Sequence, residues 1–192
     1  MSFLSFFSIN KPPQVYLDHN ATTPIDPEVR EAMDEVLTEF FGNASSLHTE
    51  GRASRRIIER ARKTVASELG CAPERIIFTS GGTESDNLAI LGAARAGASR
   101  GKHLVTTTFE HQAVMEALHH LEKREEFEVT RVGVGSEGVV EPDDVFKAMR
   151  EDTTLVSVMY ANNEIGTIQP IAEIGKDLRS SRLHPPTSNL QT

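Results

Sequence analysis

The chain has 192 residues, 38% hydrophobic and 25% charged, with a formal net charge of −8. This composition belongs to a soluble globular protein long enough to bury a core as one domain. The acidic balance without charged runs argues against a nucleic-acid partner, and no apolar stretch reaches the length needed to span a bilayer. One cysteine, Cys71, excludes an internal disulfide framework and fits a reducing compartment, which makes the cytoplasm the expected location.

Residues 1–14 begin with an apolar stretch but lack a basic start and a small-residue cleavage pattern, and read as a loose leader. Asp26-Pro27, followed by Val29, Met33, Val36, Leu37 and Phe40, predicts a capped amphipathic helix packed through its apolar stripe. A second helix is predicted over about 50–69, with Ile57, Ile58, Ala61, Val65 and Leu69 inward and a stop at Gly70. Strand-like runs follow at 75–79, 103–108, 127–134 and 153–159, alternating with helical patterns. The segment 87–96 is apolar nearly all round and is predicted to be buried. This alternation predicts an α/β fold, a mainly parallel sheet with helices on both faces.

Ligands of such sheets sit beyond the carboxyl ends of the strands. Three segments follow predicted strands there: Gly81-Gly82-Thr83, Glu110-His111 and Asn162-Asn163-Glu164. The glycine pair fits a phosphate seat, because helix-start N–H groups are unpaired and a side chain at Gly82 would block approach. It fits equally a tight turn with Thr83 as cap. His111 reads as a general acid/base, as a platform for a flat ring, or as a solvent-facing helix-start residue. The asparagine pair reads as ligand contact or as a turn.

The blocks VYLDHNATTP (15–24), FGNASSLHTEG (41–51), IIFTSGGTESDNLAI (76–90), FEHQAV (109–114) and YANNEIGTIQPI (160–171) resemble the N-terminal half of the cysteine desulfurases, class V aminotransferase-group enzymes that use pyridoxal phosphate. The resemblance implies the large domain of the fold type I pyridoxal-phosphate transferases, partial here and covering 15–178. It implies Gly82 and Thr83 at the cofactor phosphate, His111 on the pyridine ring and in proton transfer, and Asn163 at the phenolic oxygen. Asn43, Ser45, Ser46 and His48, in a block where this chain has Ala44 in place of the family's proline, fall in the region that shapes the substrate entrance. L-Cysteine as substrate, a sulfur-acceptor scaffold protein and a homodimer are the partners implied.

The family's cofactor lysine, pyridinium aspartate and persulfide cysteine lie downstream of the matched blocks. Residues 179–192 read instead as an unrelated tail, and truncation is the preferred reading. None of the six lysines, Lys11, Lys63, Lys102, Lys123, Lys147 and Lys176, follows the Ser-x-His pattern of the cofactor lysine, and they read as surface charges; no covalent attachment of pyridoxal phosphate to this chain is expected. Cys71, in a helix-to-strand link, reads as structural, and His119-His120, being adjacent, lack metal-ligand spacing, so no metal is expected. Two functions follow: part of a desulfurase that passes cysteine sulfur to a persulfide for iron–sulfur or thio-cofactor assembly, or a catalytically silent remnant or interaction module. Within enzymes, the alternative is another class V member such as a selenocysteine lyase or a kynureninase-like protein.

Overall fold

A computed structural model of the chain describes residues 15–180. They divide into two compact units after Ile77. In the first, helix α1 (Pro27–Glu39) starts as its sequence dictates: the Asp26 carboxylate accepts the Glu28 N–H at 2.9 Å and Pro27 opens the first turn. Helix α2 (Thr49–Glu68) is capped by His48, whose Nδ1 accepts the Gly51 N–H at 3.3 Å. Gly70, at φ +63°, ends it. With that residue left-handed, the Cys71 N–H reaches the Ala66 carbonyl at 2.9 Å and the Gly70 N–H reaches Ser67 at 3.2 Å. The bond pattern closes the last turn and explains why glycine stands there.

The second unit is built on a parallel three-stranded sheet in the order β2-β1-β3. Helix α3 (Gly82–Gly97) leads into β1 (His103–Thr107), α4 (Gln112–Glu125) into β2 (Glu128–Val132), α5 (Pro142–Ala148) into β3 (Thr153–Ser157), and α6 (Ile171–Ser180) follows. Alternation along β1 sorts two cores. Leu104 packs with Ile90 and Ala94 of α3 and Val114, Leu118 and Leu121 of α4. Its neighbour Val105 packs on the opposite face with Val132, Val145 of α5 and Ile174 of α6. Helices therefore cover both faces, as predicted. All five β1 residues are buried.

His103 closes the amino end of this sheet. It is fully buried, with Nδ1 2.7 Å from the Thr153 hydroxyl and Nε2 2.9 Å from that of Thr130, so one imidazole spans all three strands. Burial holds its pKa below the ordinary histidine value, with Arg150 acting in the same direction. Gly101 lies so near Asp152 that a Cβ would stand 2.1 Å from the Asp152 carbonyl oxygen.

Several expectations need correction. The strand predicted at 75–79 is a 3-10 turn over Pro73–Arg75 followed by extended, unladdered chain. β propensity records fit to a pleated neighbour, and no described strand pairs with this segment. The α1 stripe is not packed: Val29, Met33, Val36 and Leu37 are all exposed. In α2, Ile58, Val65 and Leu69 are likewise exposed and Ala61 is not buried; the buried positions are Gly51, Ser54 and Ala66. Helix α3 is not buried all round; Ile90, Ala94 and Gly97 face inward while Leu88 is half exposed. The leader, Lys11 and residues 181–192 of the tail lie outside the described residues.

Candidate functional site

Helix α3 runs back along the sheet. At its carboxyl end a Cβ on Gly97 would meet the Thr154 Cβ at 2.9 Å, near the start of β3, so its first turn lies toward the carboxyl ends of the strands. That first turn has no side-chain cap at Gly81. The N–H groups of Gly82, Thr83 and Glu84 are therefore the ones that the helix itself leaves without partners. A Cβ at Gly81 or Gly82 would meet nothing within 4 Å. Side chains brace the turn. The Glu84 carboxylate accepts from the Ser80 N–H at 2.6 Å and from its hydroxyl at 2.7 Å, and these bonds hold its pKa below the usual carboxylate value. Thr79 and Ser85 hydroxyls lie 2.6 Å apart.

His111 is the N-cap of α4, and its Nδ1 accepts the Ala113 N–H at 3.1 Å. A nitrogen that accepts carries no hydrogen, so the neutral ring holds its hydrogen on Nε2. The ring is thus a helix cap on one side and an exposed imidazole on the other.

The two asparagines do different work. Asn162 is buried; its Oδ1 accepts the N–H groups of Glu164 at 2.8 Å and Ile165 at 3.0 Å, and its Nδ2 donates to the Phe109 carbonyl at 3.2 Å. It builds the turn, which closes at Gly166 with φ +75°. Asn163 is exposed, its Nδ2 donating to Glu164 at 3.1 Å.

One further residue, Glu110, ties the β1–α4 loop to the exit of β3. Glu110 Oε1 accepts the Met159 N–H at 2.7 Å and the Thr107 hydroxyl at 3.1 Å. Burial raises its pKa above the ordinary glutamate value, against those two bonds, and the carboxylate of Asp86 adds to the rise. Asp86 stands one turn into α3 from Gly82. The β1–α4 loop and the exit of β3 are therefore joined at one rim, the rim toward which α3 begins. The signal in the sequence was Glu110's place between the end of β1 and the histidine cap.

Each of the other candidates is placed within its own unit. Lys102 precedes β1 at the opposite rim and donates to the Glu125 carbonyl at 2.9 Å. Lys63, Lys123, Lys147 and Lys176 are exposed on α2, α4, α5 and α6. Cys71 follows the Gly70 turn, half-buried. Asn43, Ser45, Ser46 and His48 belong to the first unit, where the Asn43 side chain accepts the Ser45 N–H at 2.9 Å. Among the described residues no group of three or more His, Cys, Asp or Glu is arranged to hold a metal ion.

Residues 15–183 match the family described as aminotransferase class-V. The chain belongs to that family. Among curated members, cysteine desulfurase IscS of Dictyoglomus turgidum is 51% identical over 179 residues, covering 93% of this chain and 45% of the relative. A solved NifS-like protein superposes with a TM-score of 0.84 at 40% identity, over 88% of this chain and 46% of that one. The structure titled SspA in complex with cysteine gives a TM-score of 0.81 at 36% identity, over 86% and 47% of the two chains. The chain thus spans about half the length of the curated relatives it matches, and its α/β fold is that of the NifS-like class-V proteins.

Proposed function

We propose that this chain supplies the phosphate-binding and ring-contacting part of a pyridoxal-phosphate site of the cysteine desulfurase type. The observation that carries the reading is the joining of the His111 and Asn163 loops at the carboxyl rim through Glu110 and Asn162, the rim toward which α3 begins. Amides at the start of α3 that no side chain caps, beside two glycines whose Cβ positions are open, fit a phosphate group. Gly82 and Thr83 hold that phosphate by backbone N–H, Thr83 adding its hydroxyl. His111 presents its ring to the pyridine and holds or moves a proton at Nε2; the Asn163 carboxamide donates to the ring's phenolic oxygen. When bound, pyridoxal phosphate supplies an electron sink that loosens bonds to the α-carbon of an amino acid.

L-Cysteine is the substrate class favoured by the names of the relatives and by the cysteine in the SspA title. A homodimer, a sulfur-acceptor scaffold, iron–sulfur assembly and a cytoplasmic setting complete the reading. No described helix is long and apolar enough to cross a membrane. A second reading, noncovalent binding without turnover, draws on Lys102 standing at the far rim and the other described lysines standing exposed on helices.

Equilibrium dialysis of the chain against pyridoxal phosphate tests the proposal. Saturable retention is expected, displaced by inorganic phosphate and weakened by Gly82→Asp and by His111→Ala. Borohydride should fix no cofactor on a specific lysine, and no Schiff-base band should develop at about 400 nm. Retention indifferent to both substitutions sinks the assignment of the site; borohydride trapping on one lysine sinks the noncovalent reading.

A further inference from the structure

The parallel β1–β3 ladder ends at Thr106 and Ser157. Beyond that point β1 is still tied by its backbone to β2, the Thr108 N–H donating to the Val132 carbonyl at 2.9 Å. On the β3 side the backbone no longer serves, because the chain turns at 108–111 into α4. Side chains take over. Glu110 accepts the Met159 N–H, and from the other direction Asn162 donates to Phe109. Two bonds running in opposite directions thus extend the join between β1 and β3 past its last paired residues, and each is made by a neighbour of a proposed ligand residue.

We infer that Glu110 is a positioning residue of this site: by taking the Met159 N–H and the Thr107 hydroxyl on one carboxylate oxygen, it sets the separation between His111 and Asn163. The consequence for pyridoxal phosphate rests on the function proposed above; the consequence for the two loops does not. Glu110 acts through its neighbours. Its backbone leads directly into the residue that caps α4, so a shift of residue 110 moves the imidazole and the Ala113 amide it caps. On the other side, freeing the Met159 N–H loosens the chain three residues before the Asn162 turn. The carboxylate is half-buried, and its two donors, the Met159 N–H and the Thr107 hydroxyl, hold it in place.

The test uses the full chain, Glu110→Ala, and Glu110→Gln as the conservative variant that keeps an acceptor oxygen. Without ligand, E110A should exchange the Met159 and Ala113 amides about tenfold faster, as loss of a charged acceptor entails, while the β1–β3 ladder amides stay within about twofold of the parent; E110Q should restore protection. With ligand, E110A should weaken pyridoxal phosphate about tenfold and inorganic phosphate less than about twofold, since the ring contacts but not the α3 amides depend on the loops. A purely structural role would lower both affinities together. Unchanged exchange at Met159 and Ala113 in E110A overturns the positioning role. Faster exchange with unchanged pyridoxal-phosphate affinity overturns its bearing on the ligand, and failure of the parent chain to retain the cofactor counts against the proposed function, leaving exchange to decide Glu110. If E110A also loses ladder protection, Glu110→Asp decides: one methylene shorter and still charged, it should lose protection at Met159 alone with Ala113, and full protection there refutes the inference.

Discussion

Replacing Gln169 by leucine isolates a buried polar clamp at the base of the Asn163 loop. The Gln169 side chain is 2% exposed; its Oε1 accepts the Val140 N–H and its Nε2 donates to the Gly138 carbonyl, both at 2.9 Å. Leucine has nearly the same volume but leaves one amide and one carbonyl inside without partners. Each orphaned group costs about 2 kcal/mol, so the pair costs about 4 kcal/mol, from which the gain of burying a leucine side chain, about 2 kcal/mol, is to be subtracted. The net loss expected is about 2 kcal/mol. Relaxation offers little relief, because Gly138 holds φ +69° and a Cβ there would stand 2.6 Å from Ile165 Cδ1, so the turn is wedged against the same loop. Urea unfolding should show the midpoint falling with the slope unchanged. Gln169→Glu adds a control: it keeps an acceptor for Val140 but turns an oxygen toward the Gly138 carbonyl, and its deficit should shrink as acid protonates the new carboxyl. A leucine variant within about 0.5 kcal/mol of the parent, the range of an ordinary surface change, would refute the claim that these bonds hold the loop.

The folded-state pKa of His103 is depressed, so below the ordinary histidine value of about 6.5 the unfolded chain takes up a proton that the folded chain refuses. Stability should therefore fall as pH drops below that value and gain nothing from this group above it. His103→Gln should flatten the slope by up to about 1.4 kcal/mol per pH unit, measured as the difference between the two chains' unfolding curves. An identical slope in both chains rules the mechanism out. Gly101→Ala should cost about 1–3 kcal/mol, because its methyl group meets the Asp152 backbone and not a movable side chain; thermal unfolding unchanged by this substitution contradicts the close approach at the amino rim.

What could be read from letters alone is what local chemistry decides. Asp26-Pro27 starts a helix and Gly70 ends one because caps are satisfied within a few residues. The three paired strands were legible as β-branched runs between helical patterns, within about two residues at their ends. The run at 75–79 carries the same signal without a partner, and so forms no strand. Apolar stripes predicted the helices α1 and α2 but not their exposure, since periodicity names a face and says nothing of what covers it. At the site, the glycines, His111 and the asparagine pair stood out by type. Glu110, Gln169 and His103 did not, because their partners Met159, Val140 and Thr153 lie 49, 29 and 50 residues away. The turn reading of the asparagine pair proved right for Asn162, and that is what leaves Asn163 on the outside.

The strand order carries a consequence for synthesis. Among the described strands, the central strand β1 emerges from the ribosome before either of its neighbours, so β2 and later β3 each add to an edge already present. Nascent chains halted after Val132 already carry α3, β1, α4 and β2 with the apolar cluster around Leu104 and Leu118, a growing seed to which β3 attaches.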